Sequence, residues 1–297
     1  MTGARHLEPG DTRKSVAKKG SDFLTFIRFS HTVFALPFAL GAMVVAAQGL
    51  PAWHIFGIAI LAMIFARTAA MTFNRLADWE IDKRNPRTVG RHRLASKKIA
   101  ALVCGVSSLL FVAVCALLNP LCLMLSPVAL GIVFFYSFTK RFTPLAQFFL
   151  GLALAVAPVG GWIAVTGQLD WAPIWLAAAV LFWVAGFDMV YAMQDYEVDQ
   201  REGLHSMVVA LGISRARTTA LLLHGVAFVL LLGFGWVAGL GGYFYAALLG
   251  IAALLVWEHR LTRRGDTRAL NQAFFQANAA VGILFVAGTL ADALIKS

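Results

Sequence analysis

Apolar residues occupy this chain in long, nearly unbroken blocks, and polar residues gather between them. A block of about 20 apolar residues is long enough to cross a hydrocarbon core as an α-helix. The pattern predicts nine such helices, at 24–47, 54–80, 98–118, 121–138, 144–165, 171–196, 215–238, 241–260 and 271–293. Their connections are short, so residues 23–297 read as one polytopic, all-α domain. Residues 1–22 carry Arg5, Arg13, Lys14, Lys18 and Lys19 with no apolar core, and read as a basic tail rather than a signal peptide.

Composition narrows this further. The 297 residues are 60% hydrophobic and 13% charged, with a mean hydropathy of +0.75, which excludes an ordinary soluble domain. The basic residues are strongly one-sided. The connections near 48–53, 119–120, 166–170 and 239–240 contain no Lys or Arg, and 24 of the 25 basic residues lie at or toward the other side. The positive-inside rule makes that side cytoplasmic, with the N-terminus there and the C-terminus outside. The net charge of +10 is therefore a topology signal beside anionic lipid and calls for no nucleic acid. Cys104, Cys115 and Cys122 lie in or beside apolar helices without metal-ligand spacing, and read as small core residues.

The scarce acids carry the chemistry. Of 15 Asp and Glu, eight fall in two short segments at the ends of the second and sixth apolar blocks. Asn74, Asp78 and Asp82 are spaced i, i+4, i+8, which keeps them on one helical stripe. Asp188, Tyr191, Asp195 and Asp199 share a face in the same way. A continuous helix over 54–82 would be roughly 43 Å long, so its last turns stand in the headgroup zone. Opposed across a bundle, these carboxylates repel one another and call for a cation. Mg²⁺ takes hard oxygen ligands and is commonly bound by one or two carboxylates plus substrate phosphates. The expected metal ligands are Asn74, Asp78, Asp82, Asp195 and Asp199. Two such centres would clamp a diphosphate, with Asp78, Asp82, Asp188, Tyr191, Asp195 and Asp199 as the catalytic set.

The strings Asn74-x-x-x-Asp78-x-x-x-Asp82 and Asp188-x-x-Tyr191-x-x-x-Asp195-x-x-x-Asp199 resemble the two signature motifs of the UbiA superfamily of intramembrane prenyltransferases. The resemblance extends over most of the chain. It takes in Phe29-Ser-His31-Thr-Val-Phe-Ala-Leu-Pro-Phe, Asn85-Pro-Arg87-Thr88, Tyr136-Ser-Phe-Thr-Lys140-Arg141-Phe-Thr and Gly203-Leu-His205-Ser206. Residues Val89 to Ser96 depart from it: Arg91 fits, but the proline and glycine positions of many relatives do not. The features look most like the quinone-pathway branch that acts on aromatic acids, 4-hydroxybenzoate or 1,4-dihydroxy-6-naphthoate. The resemblance implies nine transmembrane helices around a central cavity, in a bacterial inner membrane, with the active site toward the cytoplasm. It also implies a Mg²⁺-dependent transfer from a polyprenyl diphosphate to an aromatic acid.

Other residues take provisional roles in that frame. Arg67 lies on the stripe of Asn74, roughly 10 Å deeper, and an ionisable group at that depth is a functional candidate. Its guanidinium suits the carboxylate of an aromatic acid, and His31 borders the same pocket. Asn74, Arg87, Arg91, Lys140 and Arg141 are diphosphate-binding candidates. An allyl cation would develop in a water-poor cavity, with the base left open between Asp188, Asp195 and the released pyrophosphate. The rival readings fit less well. A CDP-alcohol phosphotransferase needs an Asp-Gly-x-x-Ala-Arg string that is absent. A transporter places ionisable groups near the bilayer midplane, whereas these acids crowd one rim. A related prenyltransferase with another acceptor is the remaining alternative.

Overall fold

In a bilayer every backbone N–H and C=O needs an internal partner, and an apolar chain meets that need by folding into helices. The computed structural model describes residues 35–84, 96–263 and 273–296, and among them there is no β-strand. Eleven α-helices follow in order: α1 Leu36–Ala47, α2 Trp53–Ala77, α3 Trp79–Arg84, α4 Lys97–Leu118, α5 Pro120–Thr139, α6 Ala146–Thr166, α7 Trp171–Ala192, α8 Tyr196–Arg201, α9 Met207–Val237, α10 Gly242–Thr262 and α11 Asn278–Lys296. Eight spans are long and apolar enough to cross a membrane, and α1 is a shorter apolar helix of 12 residues. The first predicted helix began at 24, and its opening turns lie outside the described residues, as do the tail at 1–22, His31, Arg87 and Arg91.

Polar residues mark the ends. Ser96 caps α4 by accepting from the Ile99 N–H. Asn119 accepts from the Cys122 N–H ahead of Pro120 and caps α5. Ser206 accepts from the Val209 N–H at the start of α9. Each side chain satisfies a donor that the first helical turn leaves free. Helix α9 is two helical segments joined at a kink at Gly212, φ 74°, so its long membrane-spanning part begins close to the predicted 215, with a short helical entry from Met207 before it.

Helix α7 is the axis of the bundle and its most buried span. It packs most extensively against α9 and α6. Gly151 on α6 lies against the Leu181 backbone, where a Cβ has no room. Deeper in the core, Trp183 on α7 meets the Phe38 ring at 4.9 Å, and Phe38 meets Phe285 at 4.7 Å. These contacts hold α7 against α1 and α11. Large side chains such as Leu109, Leu222 and Leu249 stay on the outer surface, as helices facing hydrocarbon require.

Candidate active site

Both acidic segments interrupt their helices at the middle aspartate. Helix α2 stops at Ala77, Asp78 takes φ −90° and ψ 12°, and α3 resumes at Trp79. Helix α7 passes through a single 3₁₀ turn at Met193–Asp195, Asp195 takes φ −100° and ψ 1°, and α8 follows. The continuous helix drawn over 54–82 and the helix predicted over 171–196 are therefore each broken once. The bridge region that both residues occupy is sparsely allowed and recurs at active sites. The α2–α3 junction keeps its hydrogen bonds, from Asp78 N to Asn74 O at 2.9 Å and from Asp82 N to Asp78 O at 2.8 Å. The stripe is thus bent rather than lost.

Asp78 is buried, and two cations reach it from the end of α5. Lys140 Nζ lies 2.7 Å from its Oδ2, and an Arg141 guanidinium nitrogen lies 3.6 Å from its Oδ1. Arg141 also donates to the Ala77 carbonyl, and its guanidinium lies 5.4 Å from the Phe138 ring centre. Lys140 reaches the second motif as well. Its carbonyl accepts from the His205 N–H at 2.7 Å, just after α8, and its charge acts on Asp188 together with Asp195 and Asp199. The Gln147 side chain accepts from the Met207 N–H, fixing the same loop to α6.

Tyr136, one turn before Lys140, lies within the electrostatic reach of Asp188, Asp78, Arg75 and Arg67. Asp78, Asp188, Asp195, Asp199, Lys140, Arg141 and Arg67 therefore lie within electrostatic reach of one another or of Tyr136. Asn74 lies beside them but donates toward the Ser137 hydroxyl at 3.4 Å. Asp82 turns to Arg75, at 3.4 Å in a buried ion pair. Arg75, Tyr136 and Ser137 had no predicted role. A signal for Arg75 existed: it precedes Asp82 by seven residues, two helical turns, on the same stripe. Tyr136 stands in the same relation to Lys140 at four residues. Neither spacing shows from sequence that the pair is buried.

Among the described residues, no three His, Cys, Asp or Glu side chains close into a metal cage. The residues nonetheless fit Mg²⁺. Asp78 Oδ1 is buried without a hydrogen-bond partner, and three further carboxylates act on one another nearby. Hard oxygens offered from one or two carboxylates are what Mg²⁺ uses when substrate phosphates complete its shell.

The described residues thus form an all-α bundle of helices long and apolar enough to cross a membrane, with two acidic helix junctions linked through Lys140. The chain matches the UbiA prenyltransferase family over residues 35–280. It is 34% identical over 257 residues to the 4-hydroxybenzoate octaprenyltransferase of Vibrio campbellii, covering 84% of this chain and 88% of that one. Its fold superposes on the apo structure of a UbiA homologue from Aeropyrum pernix with a TM-score of 0.80 at 30% identity, covering 88% and 98%. A UbiA homologue from Archaeoglobus fulgidus bound to GPP and Mg²⁺ shares the fold, with a TM-score of 0.70 at 22% identity, covering 92% and 99%. The chain belongs to the UbiA prenyltransferase family, and it is an integral-membrane prenyltransferase.

Proposed function

We propose that the protein transfers a polyprenyl group from a polyprenyl diphosphate to an aromatic acid in quinone biosynthesis. The acceptor is 4-hydroxybenzoate, the substrate in the names of its relatives, with 1,4-dihydroxy-6-naphthoate as the second candidate. The observation that carries the reading is Lys140, which pairs with Asp78 and also acts on Asp188. One cation thereby sits between two groups of carboxylates, where a diphosphate and its counter-ions would lie.

Mg²⁺, when bound by Asn74, Asp78, Asp82, Asp195 and Asp199, supplies positive charge that neutralises the leaving diphosphate. Asp188 borders that position. Lys140 and Arg141 stabilise charge on the diphosphate as the allylic C–O bond breaks, and fixed cations are worth most in a dry site. Arg87 and Arg91 add to them from the adjoining loop. Arg67, deeper on α2, pairs with the acceptor carboxylate and, with His31, orients the ring so that the carbon beside the hydroxyl faces the allyl cation. Tyr191 lines the acidic face. The ring proton leaves to Asp188, Asp195 or the released pyrophosphate. The site faces the cytoplasm across a bacterial inner membrane, in line with the one-sided basic residues.

The test incubates washed membranes containing the protein with labelled polyprenyl diphosphate and Mg²⁺, offering each acid separately. Labelled 4-hydroxybenzoate product is expected. Product from the naphthoate alone would change the acceptor, and product from neither, beside an active control enzyme, would remove the aromatic-acid reading.

A further inference from the structure

Behind the acidic face of α7, three ionisable side chains are sealed inside the bundle: His224 on α9, and Glu258 and His259 on α10. They are 1%, 0% and 7% exposed. The His224 ring rests on α7 at Gly186, where a Cβ would collide with its Cδ2 and Nε2. Gly186 and Asp188 are about 200° apart around the helix, so the ring lies on the side of α7 away from the carboxylates.

Its hydrogen bonds tie three helices together. His224 Nε2 lies 3.2 Å from the Trp183 carbonyl oxygen on α7. A carbonyl only accepts, so Nε2 carries the hydrogen. The other ring nitrogen, Nδ1, lies 2.9 Å from His259 Nε2 and 3.6 Å from Glu258 Oε2. Among the described residues, both Glu258 carboxyl oxygens and His259 Nδ1 have no hydrogen-bond partner.

Such a cluster is costly. Unpartnered polar atoms in an apolar interior destabilise, and apolar residues of similar volume often pack as stably or better. Helices in a membrane associate through close van der Waals packing and interhelical hydrogen bonds. A hydrogen bond to one particular carbonyl favours one rotation of a helix. A helix with its side chains is about 5–6 Å in radius, so a 20° rotation of α7 carries a carboxylate about 2 Å. Functional constellations tolerate about 0.5 Å.

We infer that His224 is a positioning residue, whose bond to the Trp183 carbonyl holds the rotation of α7 and so aims Asp188, Asp195 and Asp199 at the metal–diphosphate. The inference rests on the proposed role of those carboxylates. Gly186 is part of the device, since it alone lets the ring reach the α7 backbone.

The test compares wild type with His224→Leu, His224→Gln and Gly186→Ala as intact protein in detergent. Gln keeps an N–H at a similar reach, Leu keeps the volume without it, and Ala displaces the ring. Two quantities are read: Mn²⁺ binding by EPR in the presence of a non-reactive prenyl thiodiphosphate, and steady-state KM for each substrate. For His224→Leu and Gly186→Ala, Mn²⁺ affinity should fall about 10- to 100-fold, the range for lost support of a metal ligand. KM for the aromatic acid should change less than Mn²⁺ affinity, because its proposed partner Arg67 is carried by α2 rather than by α7. His224→Gln should recover most of the affinity. Unchanged Mn²⁺ binding in either Leu or Ala variant overturns the inference, as does a loss that Gln fails to rescue. If His224→Leu does not fold, Gly186→Ala carries the same test. Absence of Mn²⁺ binding in the wild type would instead overturn the proposed metal site.

Discussion

Lys140 and Asp78 form the shortest link between the two halves of the active site: the Lys140 ammonium lies 2.7 Å from Asp78 Oδ2, while the Lys140 carbonyl holds the His205 N–H beyond the second motif. The side chain thus belongs to one motif and the backbone to the other. Removing the charge leaves Asp78 buried with only the more distant Arg141. Lys140→Met should lower kcat/KM for the prenyl diphosphate by about 10²-fold, the scale of one lost electrostatic contact in a dry site. Lys140→Arg should recover only part of it, because a planar guanidinium does not replace a compact ammonium at such a separation. Equal turnover in wild type and Lys140→Met would remove the diphosphate role.

Asp78 and Asp195 occupy equivalent places, each at a break in its helix with φ near −90° to −100° and ψ near 0°. Asp78→Ala and Asp195→Ala should each lose activity by at least about 10³-fold, on the scale of one to two lost stabilising contacts, and still insert in the membrane. EDTA should abolish wild-type turnover, and added Mg²⁺ should restore it. Near-normal activity in both variants would remove the metal proposal.

The Arg75–Asp82 pair tests a different assignment. The two side chains are 7% and 11% exposed and 3.4 Å apart, so each neutralises the other in the interior. Arg75→Leu removes this cation from a buried carboxylate and should destabilise by about 3 kcal/mol, seen as a lower Tm in detergent. Arg75→Leu with Asp82→Leu should recover most of that loss. If Asp82 acts chiefly as this partner, the double variant should also keep more activity than Asp78→Ala. If the double variant is instead as inactive as Asp78→Ala, Asp82 keeps its predicted place among the metal ligands.

Those outcomes bear on what sequence can and cannot reveal. Long apolar blocks announced the helices because hydrocarbon permits almost nothing else, and Asp78, Asp188, Asp195 and Asp199 stood out because acids are so scarce here. Three things were less legible. The breaks at Asp78 and Asp195 leave no proline or glycine to mark them. The short segment from Met207 ahead of the Gly212 kink was not foreseen, because a lone glycine in an apolar stretch gives no sign that it takes φ 74°. The pairing of Asp82 with Arg75, and of Lys140 with Asp78, depends on which side chains are buried together, a tertiary fact that helical spacing only permits. His224 was invisible for the same reason: a lone histidine in an apolar helix gives no sign of the glycine and carbonyl it meets on α7.

The placement of α7 against α6 also yields a stability prediction that does not touch the chemistry. A Cβ built on Gly151 would run into the Leu181 carbonyl group, which belongs to the helix backbone and cannot swing aside as a side chain can. Substitution must push α6 and α7 apart or bend one of them. Overpacking of this kind costs about 1–3 kcal/mol, and a bulkier, β-branched residue should cost more than alanine. Gly151→Ala should therefore lower the Tm in detergent measurably, and Gly151→Val should lower it further. Gly160, on the same helix with open space around its Cβ position, supplies the control: Gly160→Ala should be neutral or slightly stabilising, because alanine favours the helix. Equal Tm values for Gly151→Val and Gly160→Ala would show that the close approach of α6 to α7 is not a constraint on the bundle.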